Sequence, residues 1–240
     1  MISRHEDISC YREGYKYCSM VLLRRGYELF CKAPVVKNLG EISEILLQNE
    51  VPSSNDISGY YHSIVLLTDE TLDAICMTAA FEFIAKGLLI NERVAVHRIE
   101  NNIEALKALG KAQRKTPIEV SMVLEQEKAL FGANSSIINI LRPDTLGLAE
   151  ILSSQAYCKK IGFDKQLVEV LNPLVDRRNK QAHFFSICFE HNVFKSSQDY
   201  MYLKELIESR FIPMHNQLAK DAGFPEAWII NSQANATDLN

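Results

Sequence analysis

A chain of 240 residues with 47% hydrophobic and 23% charged content has the composition of an ordinary soluble globular protein, large enough for one sizeable core or two small ones. A net charge of −4 and a pI near 5.9 exclude a generally basic coat for DNA, so any nucleic-acid contact needs a local patch of cations. Cys10, Cys18, Cys31, Cys76, Cys158 and Cys188 stand singly, with no CxxC pair and no zinc-like spacing, and read as reduced thiols. The N-terminus lacks the apolar stretch of a signal peptide and no run of 18 apolar residues occurs, which makes a cytoplasmic, membrane-free protein the expectation.

In chain order the periodicity is helical almost throughout. Tyr11, Tyr15, Cys18, Val21, Leu22, Leu29 and Phe30 recur at intervals of three, four and seven, as on an amphipathic helix that ends before Pro34. A shorter helix is expected around Leu39, Ile42, Ile45 and Leu46. Residues 51–58, with Pro52 and the polar cluster Ser53 to Asp56, read as a loop that divides an N-terminal helical extension, 1–52, from a main domain, 57–222. Thr68-Asp69-Glu70 is a candidate N-cap for a strongly apolar helix from Leu72 to about Ile90. On that helix Glu82 and Lys86 are spaced i and i+4, the favourable order for an ion pair.

A helix over 94–109 follows from the spacing of Ile99, Ile103, Leu106 and Leu109, and the basic run Lys111 to Lys115 then belongs to a connection. Thr116 as cap and Pro117 at the first position start a helix to about Phe131, and a further helix is expected from Pro143 or Asp144 to about Lys160, stopped by Gly162. Asn172-Pro173 has the form of a cap and first position, which starts the next helix near Pro173. One kinked helix from Asp164 to about Phe185 is the alternative. Ser196-Ser197 opens a last long helix bearing Tyr200, Leu203, Leu206, Ile207 and Phe211. Residues 223–240 are read as a C-terminal tail, disordered from Ser232. No convincing alternating strand occurs apart from a weak apolar candidate at 184–189, so the fold class is all-α, a helical bundle.

One segment carries chemistry. Residues 177–183 read Arg-Arg-Asn-Lys-Gln-Ala-His, and four residues separate Arg178 from His183. Arginine can grip a phosphate with two parallel donors, and histidine exchanges protons near neutrality. In a chain with 11 arginines and six histidines that spacing arises about once by chance, and Arg210 with His215 repeats it with Pro213 inside. Context separates the two. At 100° per residue Leu171, Leu174, Val175, Arg178, Ala182 and Phe185 share one stripe, which puts a guanidinium where periodicity asks for an apolar side chain. Such a charge needs a paired group, a partner, a wet cleft or an anion. Asp176, Asn179, Lys180 and His183 form an adjoining polar stripe.

Arg178-Asn179-Lys180-Gln181-Ala182-His183, preceded by the apolar helix around Met77 to Leu89, resembles the HEPN superfamily of helical domains over roughly residues 60–190. The resemblance implies a HEPN-like helical core that dimerises, so that two Arg/His pairs face each other. It further implies a metal-independent endoribonuclease without cofactors, of the kind found in toxin–antitoxin or phage-defence systems with an antitoxin or regulatory partner. Arg178 and His183 would be catalytic, Asn179 and Glu82 supporting, and Arg177 and Lys180 would bind RNA. Some relatives keep the fold without activity, so a non-catalytic module that binds RNA or a protein is the other expectation. No HxH, HExxH or Cys/His cluster argues for a metal, and no glycine-rich phosphate loop occurs.

Overall fold

The computed structural model describes residue 11 and residues 14–33, 57–100, 102–132, 140–183 and 193–231, with side chains except at 57–73, 180–183 and 193–198. The helix expected around 39–46, the strand candidate at 184–189 and the tail from 232 lie outside the described residues. The described residues are mostly helical, with one short two-stranded antiparallel ribbon among them.

Two helices make the centre. α1 (Tyr15–Phe30) lies along α2 (Ile57–Asn91), and they approach closely because glycine stands at the contact on each. A Cβ on Gly26 would fall 2.6 Å from the Ile84 side chain and 2.8 Å from the Ala80 carbonyl, and one on Gly87 would fall 3.0 Å from the Ser19 carbonyl. Ser19 Oγ donates to the Gly87 carbonyl at 2.8 Å, tying a side chain of α1 to the backbone of α2. From Ala74 to Asn91 α2 is apolar and long enough to cross a membrane by composition, but 61% of that stretch is buried inside the protein, chiefly against α1. Its apolarity is that of a central core helix. α2 starts at Ile57, so Thr68 is inside the helix rather than at its cap, and Ile57 and Ser58 are helical instead of looped.

α2 ends without glycine or proline. Arg93 takes a left-handed backbone, φ 58°, and its guanidinium is occupied on both sides: it donates to the Tyr11 carbonyl at 2.8 Å and stacks over the Tyr15 ring at 4.5 Å. Beyond this turn the expected helix over 94–109 is replaced. Val94, Ala95 and Val96 are buried in succession, β1 (His97–Ile99) pairs with β2 (Leu141–Thr145), and only then come a 3₁₀ turn at Glu104–Leu106 and α3 (Lys107–Gln113). Buried Gln113 makes the substitution work. Its Oε1 accepts from the Ile99 N–H at 3.0 Å, and its Nε2 donates to the carbonyls of His97 and Ala95 at 2.8 and 3.2 Å. The ribbon edge is satisfied by a side chain instead of a third strand.

α4 (Val120–Phe131) begins three residues later than its Thr-Pro signal suggested, because the Val120 N–H is taken by the Arg93 carbonyl and residues before it bridge to Val94. Residues 143–145, expected as the start of a helix, belong to β2. The helical part divides into α5 (Leu148–Ser153) and α6 (Gln155–Ile161), with Ser154 capping the second. Gly162, φ 66°, closes α6 as expected.

α7 (Lys165–His183) starts well before Pro173, in line with the alternative reading of one helix from Asp164. Asp164 Oδ1 accepts from the Leu167 N–H at 2.8 Å, a cap that overrides the Asn-Pro signal. Pro173 is tolerated inside the helix on its exposed side, where only a hydrogen bond to residue 169 is lost. α8 (Val193–Leu206) begins before the Ser-Ser pair and runs through a π-helical turn, Ile207–Phe211, into α9 (Ile212–Asp221). Residues 224–230, counted with the tail in the sequence, pack back: Trp228 meets Phe224 at 5.1 Å and Arg24 at 4.9 Å, and Asn216 binds both backbone groups of Ile230. Of the cysteines, Cys18, Cys31, Cys76 and Cys158 are in no disulfide, and burial pushes the thiol pKa of Cys31 and of Cys158 up.

Candidate functional site

α7 lays its apolar stripe on α2. Leu171 is fully buried, Val175 nearly so and Leu174 partly, in the order that the spacing requires. One turn further, Arg178 continues that stripe with a side chain 29% exposed. The burial of a permanent cation at this position is offset by Glu82 of α2, whose Oε2 is 3.6 Å from Arg178 Nη1.

Glu82 is shared. Its Oε1 accepts from Lys86 Nζ at 2.6 Å, and its Oε2 also accepts from the Leu148 N–H at 3.4 Å. Leu148 is the first residue of α5, so the carboxylate caps a helix N-terminus while facing two cations. Lys86 and Glu82 are only 14% and 25% exposed, which places the pair in a groove between α2, α5 and α7 rather than on a solvated face. Two cations against one carboxylate leave a surplus positive charge at the groove.

Arg178 is steered by Glu82 rather than locked to it. A separation of 3.6 Å is an ion contact, too long for a hydrogen bond. Its other donors make two long bonds to Asn179 Oδ1, at 3.2 and 3.4 Å, and Asn179 itself is exposed. Arg177 is half-buried beside it, and no ion pair involves it among the described residues. His183 is the last residue of α7, and Lys180 lies between; the side chains of both are outside the described residues. On a regular helix Arg178 and His183 are separated by about 7.5 Å of rise and about 140° of azimuth, whereas Asn179 and His183 differ by about 40°. The structure thus brings Glu82, Arg178 and Asn179 together.

The second Arg/His spacing has a different setting. Arg210 donates to the carbonyls of Ile161 and Gly162, each at 2.7 Å, and so completes the C-terminus of α6. His215 is 1% exposed and shares a 3.0 Å contact with Asn216, and burial lowers its pKa. Neither side chain is available for a phosphate.

Lys86 was legible in the sequence as the ion-pair partner of Glu82, and the Leu148 N–H was the participant that sequence could not assign. The i, i+4 spacing signalled the first, while nothing in the sequence marks an α5 N-terminus aimed at Glu82. Among the described residues no group of three His, Cys, Asp or Glu side chains converges as metal ligands would. No protein-family model matches this chain, and no curated protein or solved structure matches it either.

Proposed function

We propose that the chain is a HEPN-like, metal-independent endoribonuclease that acts in the cytoplasm as a homodimer, with Arg178 and His183 as its catalytic residues. The observation that carries the reading is the position of Arg178: a guanidinium on the core-facing stripe of α7, held at ion-contact distance by Glu82 and not neutralised by it. A cation stored in that way is poised for an anionic ligand.

In the proposed reaction His183 removes the proton of a ribose 2′-OH, the oxygen attacks the adjacent phosphorus, and the 5′-oxygen leaves with a proton from a second acid. The twofold-related His183 of a dimer would supply that acid. Arg178 stabilises the charge that develops on the phosphorane oxygens, and Asn179 orients its guanidinium. Products are a 2′,3′-cyclic phosphate and a 5′-OH, and DNA, lacking the nucleophile, is not cut. Arg177 and Lys180 would hold flanking phosphates. A toxin–antitoxin or phage-defence role, with an antitoxin or regulatory protein as partner, belongs to the same proposal.

The test is incubation of single-stranded and structured RNA with the purified chain in EDTA. Cleavage should fall by about 10²–10³ in Arg178→Ala, the usual cost of losing one transition-state donor, and should vanish in His183→Ala. Equal cleavage by either variant and the wild type would sink the proposal. One observation favours a second reading, a non-catalytic RNA-binding or protein-interaction module. Arg178 already has intrachain partners in Glu82 and Asn179, as a structural arginine would. Binding of several RNAs with no cutting of any would establish it.

A further inference from the structure

A second basic site lies on the other side of the β2–α5 connection. Between the ribbon and α3 is a cavity of about 290 Å³. Buried Ile99, Gln113 and Leu146 form its floor. Its walls carry Arg98 from β1, Arg142 from β2, and Lys107, Lys111 and Arg114 from α3 and its C-cap. The last three are spaced i, i+4 and i+7, which puts them on one face of the helix.

Acidic neighbours satisfy part of this charge. Arg98 pairs with Asp144 at 3.0 Å and with Glu150, Arg142 shares Asp144 at 2.8 Å, and Lys107 pairs with the exposed Glu104. Five cations therefore meet three carboxylates. Lys111 and Arg114 make no ion pair among the described residues. The walls are also fixed in place. Gln113 pins α3 to β1 through three hydrogen bonds, and the Tyr157 hydroxyl donates to the Gln113 carbonyl at 2.7 Å. Like charges assembled on a rigid frame repel one another unless a counter-charge sits between them.

We propose that this cavity binds the diphosphate of a small nucleotide. The surplus of two positive charges matches a compact polyanion, and Lys111 and Arg114, which make no ion pair among the described residues, can give charge-assisted donors to phosphate oxygens. The volume is near the lower end of small-ligand sites, about 300–1,000 Å³, and suits the end of a ligand rather than a passing strand. The site shares no residue with the Glu82, Lys86 and Arg178 cluster, so it stands apart from the ribonuclease reading.

Titration calorimetry of the full chain in phosphate-free, low-salt buffer tests this, with ADP, pyrophosphate and adenosine as probes and a 5′-phosphorylated RNA decamer as a separate arm. ADP and pyrophosphate should bind and adenosine should not. The Lys111→Ala/Arg114→Ala double variant should weaken ADP at least about tenfold, as befits two lost charge-assisted contacts. Both residues are exposed, so its melting curve should match the wild type. Arg178→Ala should bind ADP unchanged, even if the chain cuts no RNA. No ADP binding at millimolar concentration, equal binding by the double variant, loss of binding in Arg178→Ala, or binding of the RNA end without ADP would each overturn the proposal.

Discussion

The guanidinium of Arg178 stands 3.6 Å from the carboxylate of Glu82, across the groove between α7 and α2. The two ends of this contact are not equivalent. Arg178→Ala leaves Glu82 with Lys86 and the Leu148 N–H, so the folded state should lose no more than about 1 kcal/mol. Glu82→Ala leaves two cations facing each other and an uncapped helix, and should cost about 1–3 kcal/mol. Urea denaturation of both variants measures the difference, and equal losses would show that the contact is symmetric.

Gly26 is a steric requirement. Gly26→Ala would push a methyl group against the Ala80 carbonyl and Ile84, and backbone cannot give way as a side-chain tip can. The expected loss is about 1–3 kcal/mol, read as a lower thermal midpoint, although alanine is the better helix former by about 1 kcal/mol. A midpoint at or above that of the wild type would contradict the close crossing of α1 and α2.

His215 should make stability fall with acid. Burial holds its pKa below the ordinary 6.5, so the unfolded chain takes up a proton at a pH where the folded one does not. The contribution is complete above about 6.5, declines as pH drops below that value and levels off beneath the lowered folded pKa. Unfolding midpoints of the wild type and His215→Gln, followed from pH 8 to 5, should diverge in slope below 6.5. Parallel curves would mean that His215 does not titrate on unfolding.

Arg210 serves the fold. Arg210→Ala removes the donors to the Ile161 and Gly162 carbonyls and should destabilise by about 1–3 kcal/mol. RNA cleavage per folded molecule should be unchanged, the opposite of the result expected for Arg178→Ala. A cleavage defect in Arg210→Ala larger than its unfolded fraction would reverse the assignment of the two arginines.

The periodicity of α7 was legible because one stripe is buried along its length, and Leu171, Val175 and Arg178 follow it in the structure. The partner of Arg178 was legible only as a supporting residue, since no sequence rule brings position 82 to position 178. The ribbon escaped notice for a physical reason. Ile99, Ile103, Leu106 and Leu109 imitate helical spacing while spanning a strand, a turn and a short helix, and β1 itself is three residues long with His97 and Arg98 both half-buried, so no alternation marks it. The end of α2 at Arg93 lacks the usual glycine, its left-handed backbone being held by contacts to Tyr11 and Tyr15. At α7 the Asn-Pro start signal lost to an earlier aspartate cap. The basic run from Lys111 was visible, but Arg98 and Arg142 join it only through strands that the sequence did not announce.

Lys86 and Arg178 are rivals for one carboxylate, and at 2.6 against 3.6 Å the lysine holds the stronger claim. Losing Lys86 would hand the whole negative charge to Arg178 and draw the guanidinium inward, away from anything entering the groove. A change at Lys86 would then mute the site by displacing Arg178, although neither Arg178 nor His183 had itself been altered.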